Sequence, residues 1–161
     1  MEKKIELYPR IFLIKKKFKK DEYWHYFEVP DVAILIPLIN AKFLIVSQKR
    51  EAINKINFEF PSGWIDRKER PEKSAARELL EETGYKSLIV PKKLIKFYEE
   101  PGRMNSKAHC FFSKKLIKIK NPEKGIKIHL LTKNEIINLI RKNKFNNGTH
   151  IAAFYKYLSL N

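Results

Sequence analysis

The sequence predicts a mixed α/β (α+β) domain in which helices pack on a β-sheet, and three observations predict it. The first half consists of apolar and aromatic runs of strand length. One amphipathic helix with clear start and stop residues follows. Strands then resume, and the chain closes on two further helical segments.

Taken in order, Ile5 to Ile14 and Tyr23 to Val29 read as strands joined by the charged turn Lys19-Lys20-Asp21-Glu22. Val32 to Leu38 is apolar throughout, the mark of a strand buried on both faces. Asn40-Ala41-Lys42 turns the chain back through Phe43 to Val46, a hairpin. A polar stretch from Gln48 to Lys55 leads into Phe58-Glu59-Phe60. Pro71 then suits a first helical position, where its missing N–H costs nothing, and Gly84 suits the left-handed residue past the end. At about 100° per residue, Ala75, Ala76, Leu79, Leu80 and Thr83 share one side, and Arg77, Glu78, Glu81 and Glu82 the other. Further strands are expected over Leu88–Val90, Leu94–Tyr98, His109–Leu116 and Ile126–Leu131. Thr132-Lys133-Asn134-Glu135 is a capping-box pattern opening a helix to about Lys142. A last helix is expected from Thr149 to Leu158.

At 161 residues one domain covering 1–161 is expected, and 43% hydrophobic with 12% aromatic residues excludes a disordered chain. Cys110 is the only cysteine, so no intrachain disulfide can form. Met1-Glu2-Lys3-Lys4 lacks the apolar core of a signal peptide, and no apolar run approaches about 18 residues. A cytoplasmic protein with no membrane partner is expected. The formal charge of +16 attracts polyanions such as nucleotides, RNA, DNA or anionic lipid. The lysines are dispersed, at 15–17, 19–20, 92, 93, 96, 114, 115, 118 and 120 and again at 142 and 144. That dispersal favours lysine on every solvated face over a dedicated nucleic-acid surface, which stays open as the rival.

The helix beginning at Pro71 presents an arrangement that stability alone disfavours. Glu78 and Glu82 lie four apart and Glu81 beside them, a spacing at which like charges repel by about 0.2–0.5 kcal/mol per pair. They also sit toward the negative end of the helix dipole. A hard divalent cation reverses the sign, because Mg2+ prefers carboxylate oxygens and keeps waters for a phosphate substrate. An isolated acidic patch relieved by Arg77 is the alternative, and the surrounding spacing decides between the two.

From Gly63 the residues read G-WIDRK-E-RPEKSAA-R-E-L-L-E-E-T-G-Y. This resembles the Nudix box, G-x5-E-x7-R-E-U-x-E-E-x-G-U, where U is aliphatic. Gly63, Glu69, Arg77, Glu78, Glu81, Glu82 and Gly84 fall on the fixed letters, with Leu79 at the first U and Tyr85 departing only at the last. At ordinary residue usages such a coincidence arises on the order of once in 10^8 positions. The resemblance implies the Nudix fold, a mixed β-sheet sandwiched between helices, with residues before 30 as a short N-terminal β extension. It implies Glu78 and Glu82 as main metal ligands, Glu81 assisting, and the Ser62 carbonyl as an additional ligand. Gly63 would let the strand turn sharply into the loop, and Glu69 with Arg77 would form the buried pair that fixes loop to helix. It further implies Mg2+, with Mn2+ able to substitute, and hydrolysis of a nucleoside diphosphate linked to a group X. Two metal ions about 3.5–4 Å apart can polarise a pyrophosphate and activate water.

Residues outside the box narrow the substrate. Phe58-Glu59-Phe60-Pro61-Ser62-Gly63 looks like the E-L-P-A-G lead-in of ADP-ribose pyrophosphatases and their sugar-nucleotide relatives. Gln48-Lys49-Arg50 sits where those enzymes carry Q-Y-R or Q-F-R. Pro101, sixteen positions after Tyr85 and followed by Gly102, is similar to the proline marking the ADP-ribose subgroup. The resemblance makes Arg50, Glu59, Pro101 and Gly102 candidate substrate contacts, with a surface salt bridge as the rival for Arg50 and Glu59 and a simple strand end for Pro101. Phe97, Tyr98, Trp24 and Tyr26 are expected in the core. The acidic loop of those enzymes is reduced here to Asn121-Pro122-Glu123-Lys124-Gly125. The base is therefore Glu123 in a shifted register or another acid such as Glu99, Glu100 or Glu81. The family's N-terminal strands commonly form a homodimer, and residues 1–30 could supply a reduced version. An RNA-end or dinucleoside-polyphosphate hydrolase, and a non-catalytic nucleotide- or RNA-binding module, are the competing functions.

Overall fold

The computed structural model describes residues 2–160. Its first three strands, β1 (Glu2–Tyr8), β2 (Ile11–Lys19) and β3 (Glu22–Glu28), form an antiparallel sheet of their own. The run expected as one strand over Ile5–Ile14 is broken at Pro9 and Arg10, where Arg10 takes φ 71°. Proline donates no N–H to a ladder, so the strand stops there and a hairpin forms.

The chain continues through β4 (Val32–Ile39), β5 (Lys42–Arg50), β6 (Lys55–Glu59) and β7 (Ser62–Trp64) to α1 (Pro71–Thr83). Then follow β8 (Tyr85–Ser87), β9 (Lys92–Tyr98), β10 (Lys107–Ser113), β11 (Leu116–Lys118), β12 (Lys127–Leu131), α2 (Lys133–Arg141) and α3 (Gly148–Leu158). The main sheet runs β12-β5-β4-β10-β9, with β6 on β5 and β7 on β4. The β4–β10 pairing is parallel and the others antiparallel, so the sheet is mixed.

β4 explains the layers. Successive side chains of a strand face opposite ways. Ile34, Ile36 and Leu38 join Phe43, Ile45, Phe60, Ile136, Phe145 and Phe154 in the core under α2 and α3. Ala33 and Leu35 join Ile65, Ala75, Leu79 and Phe111 under α1. The sheet is thus sandwiched between helices.

Capping signals act as read: Thr132 accepts from the Glu135 amide at 3.3 Å while the Glu135 carboxylate accepts from the Thr132 amide at 2.7 Å. Three further expectations change. The short strand lies at Tyr85–Ser87 rather than Leu88–Val90, because Ser87 Oγ donates to the Ile89 carbonyl and Pro91 follows, bending the chain away. The run His109–Leu116 divides at Lys114-Lys115 into β10 and β11. Trp24 and Tyr98 are 58% and 55% exposed, not core residues: Trp24 lies in the small N-terminal sheet and Tyr98 ends the edge strand β9.

Candidate functional site

The carboxylates of α1 meet strand β7. Leu79 fixes the helix on the sheet, and Glu82, three residues on, falls beside that apolar stripe. It is buried, at 7% exposure, rather than on the polar side where the two-sided helical reading placed it. Glu82 Oε2 accepts from the Ser62 amide at 3.2 Å, and Gln48 Nε2 lies 3.5 Å from Oε1. The Glu78 carboxylate lies over Gly63, where a Cβ would stand 2.3 Å from it. Gly63 is therefore needed for this close approach. It is paired with Ala33 inside β7 and has no left-handed φ, so it does not make the sharp turn expected.

Arg77 organises the rest. Its Nε and Nη2 donate to Glu69 at 3.2 and 3.1 Å, a two-pronged pair, and Nη2 also donates to the Trp64 carbonyl at 3.0 Å. Its Nη1 donates to Glu78 at 2.6 Å and to Glu81 at 3.0 Å. These bonds hold the Glu69 carboxyl below and the Arg77 guanidinium above their ordinary ranges. Burial acts the other way on the two inner acids. It raises Glu78 against the pull of Arg77, and it pushes Glu82 up to about 8, helped by Glu78 and Glu59 and opposed by the Ser62 amide and Arg50.

Among the described residues, no group of three or more His, Cys, Asp or Glu side chains is drawn together as a cation cage. Glu78 and Glu82 converge on Ser62–Gly63, whereas Glu81, 47% exposed, is turned to Arg77. The donor chemistry nonetheless fits a hard divalent cation: the acids are oxygen donors, and two of them are desolvated carboxylates that a cation would favour in charged form.

Beside this lies a cleft of about 470 Å³ whose lining includes Arg50, Glu59, Ser62, Gly63, Glu99 and His150. Arg50 Nε donates to Glu59 Oε1 at 2.8 Å, and Glu59 is 2% exposed. The two form an ion pair whose acid is buried in the cleft, not a surface salt bridge. Glu99 accepts from Ser106 Oγ at 2.7 Å. Glu123 is exposed and lines two smaller hollows, one with Glu81 and one with Gln48 and Glu82. Pro101 and Gly102 line none of these cavities. They sit on an exposed turn tied to β3 through the Phe27 amide and the Arg103 carbonyl at 2.7 Å.

The sequence did not single out His150, Asn57 or Trp64, which line the cleft together with Asn146 and Asn147 at the entry to the last helix. His150 Nδ1 accepts from the Phe60 amide at 3.0 Å, which leaves the ring proton on Nε2. Burial pushes its pKa down to about 3, so it is a neutral donor. Only a histidine at the start of the last helix hinted at it. Cys110 is no nucleophile: burial pushes its thiol up to about 12.

The sequence model of the NUDIX domain matches residues 29–149. The chain is 38% identical over 85 residues to the ADP-ribose pyrophosphatase of Bacillus subtilis (strain 168), covering 53% of this chain and 45% of that protein. It is 30% identical over 136 residues to the methanol dehydrogenase activator of Bacillus methanolicus, covering 80% of this chain and 73% of that one. The match thus spans less than half the length of the first relative. A crystal structure described as that of an ADP compounds hydrolase superposes with a TM-score of 0.82 over 99% of this chain and 91% of the other, at 16% identity, a likeness of fold.

Proposed function

This chain belongs to the Nudix family, and from that membership we propose that it hydrolyses the pyrophosphate bond of a nucleoside diphosphate linked to X. ADP-ribose or a related nucleotide sugar is the substrate. Water adds across the P–O–P bridge, and AMP (or another nucleoside monophosphate) leaves with a sugar phosphate. The observation that carries the reading is the convergence of half-buried Glu78 and buried Glu82 on Ser62–Gly63 at the edge of a cleft containing Arg50 and Glu59. The 38% identity to an ADP-ribose pyrophosphatase supports the substrate class.

Glu78 and Glu82, with Glu81 and the Ser62 carbonyl, hold Mg2+, for which Mn2+ substitutes. The cation supplies charge neutralisation to the pyrophosphate and a more acidic water. Glu69 and Arg77 set the helix against the loop, and Gly63 and Gly84 permit the close packing. Arg50 and Glu59 contact the nucleotide from the cleft, and Pro101 and Gly102 contact the substrate from the exposed turn outside it. Glu123 takes the attacking water's proton, because its loop borders both Glu81 and Glu82. Residues 1–161 act as one Nudix hydrolase domain in the cytoplasm, and residues 1–30 pair two copies into a homodimer.

A panel of nucleoside diphosphate compounds with Mg2+, scored for products by chromatography, tests this. ADP-ribose or a nucleotide sugar is expected to give two monophosphates, and Glu82→Gln to lose about 10^2–10^3-fold in kcat, the scale for removing one charge-stabilising group. Wild-type turnover in that variant would sink the assignment.

One observation favours the RNA-end reading. At the β2–β3 tip, Phe18, Tyr23 and Trp24 are 55%, 42% and 58% exposed, and Lys15 lies 4.0 Å from the Tyr23 ring. Exposed rings among lysines suit single-stranded nucleic acid. Turnover of a 5′-capped RNA that falls steeply with salt, with none of ADP-ribose, is the result that selects it.

A further inference from the structure

Arg10, in the turn between β1 and β2, adopts φ 71°, a backbone region that an arginine enters only against steric resistance. From that turn its side chain reaches the residues that follow the box glycine. Arg10 Nη2 donates to the Ile65 carbonyl, Nη1 donates to Asp66 Oδ1 at 3.1 Å, and the guanidinium carbon lies 5.9 Å from the Trp64 ring. The same residues hold Arg77 from the other side. The Trp64 carbonyl accepts from Arg77 Nη2 at 3.0 Å, and the Asp66 carboxylate stands 3.9 Å from that nitrogen. The Asp66 amide donates to Glu69 Oε2 at 3.3 Å. Arg77 in turn bonds Glu78 and Glu81.

We propose that Arg10 is a positioning residue that makes the setting of Arg77, Glu78 and Glu81 depend on the N-terminal sheet. This rests on the reading that those carboxylates hold the divalent cation. Asp66 is 64% exposed, so its ion pair with Arg10 is well screened. The bond from Nη2 to the Ile65 carbonyl and the approach of the guanidinium to the Trp64 ring do the positioning, and the compact ammonium of lysine does not reproduce both.

The test measures Mn2+ affinity by electron paramagnetic resonance of free Mn2+, alongside kcat, KM and Tm, in the full chain. Arg10→Met is expected to weaken Mn2+ binding about 3–10-fold and lower kcat by a similar factor with KM within about twofold, the pattern of a misplaced reacting group. Arg10→Lys gives an intermediate loss, and Asp66→Asn stays close to wild type. Wild-type Mn2+ affinity and kcat in Arg10→Met overturn the proposal, as does a loss confined to KM. A loss that vanishes when the assay is cooled further below Tm also overturns it, and if Arg10→Met fails to fold, Arg10→Lys carries the same readouts. Glu82→Gln separates the two levels. Mn2+ binding lost there but kept in Arg10→Met removes the positioning role alone, whereas unaltered binding in Glu82→Gln removes the site reading beneath it.

Discussion

The Glu82 carboxyl is 7% exposed and has the Ser62 amide at 3.2 Å as its close donor, with Glu78 and Glu59 near enough to repel its charge. Its pKa in the folded protein is about 8, above the unfolded value, so its contribution to stability is full below about pH 4.5 and is lost as pH rises to about 8. Without metal, Glu82→Gln is therefore expected to be more stable than wild type at pH 8 by on the order of 2 kcal/mol, or about 5 °C in Tm, with the gain vanishing near pH 4. Thermal melts in chelator across pH measure it, and a pH-independent difference would contradict it. Gly63→Ala separates stability from chemistry. The added Cβ would stand 2.3 Å from the Glu78 carboxylate, the far end of a side chain that can turn aside once its bond to Arg77 gives, so Tm should move less than kcat, which falls about 10–100-fold. Spacing made Glu78, Glu81, Glu82, Glu69 and Arg77 legible in the sequence. His150 was not, because the amide it accepts from lies 90 residues away in the chain.

Secondary-structure elements are legible in the sequence where local chemistry sets their ends and not where distant partners do. Pro71, Gly84 and the Thr132–Glu135 box mark helix ends through bonds within a few residues, and the structure places the ends there. Whether Tyr85–Ser87 or Leu88–Val90 forms a strand depends on β11, which pairs with the former. The β4–β5 hairpin shows a residual conflict. Its turn residues Asn40 and Ala41 have φ 50° and 62°, a two-residue turn that ordinarily carries glycine second. Ala41→Gly is expected to stabilise the protein by about 0.5–1 kcal/mol in urea unfolding, less than the full left-handed penalty because glycine also loosens the unfolded chain. Destabilisation would show that the Ala41 methyl packs usefully.

For the whole molecule, the three-stranded N-terminal sheet leaves Ile5, Leu7, Tyr8 and Phe27 40%, 55%, 64% and 42% exposed. Covering such a surface favours association. Two copies per particle are expected by light scattering, and Leu7→Lys with Tyr8→Glu should shift the mass toward one copy; a wild-type monomer at tens of micromolar would refute pairing through residues 1–30. The fold class and the two-faced burial of β4 were legible, since an unbroken apolar run admits little else. The separate N-terminal sheet was only half legible, because its exposed aromatics look like core residues in one dimension.

The Gly84 carbonyl accepts from the amides of both Ile119 and Lys120, at 2.9 and 3.2 Å, and β12 resumes at Lys127. The stretch carrying Glu123 is thus clamped where it leaves the box helix and again where it rejoins the sheet, with open exposed chain between. Lengthening such a segment costs only about 0.6 kcal/mol per doubling, since closure entropy grows with the logarithm of length. Insertions here can bring a different acid over Glu81 and Glu82 while the sheet and α1 stay as they are. If Glu123 is the base, as proposed, the scaffold can stay fixed while proton transfer belongs to a part that can be exchanged.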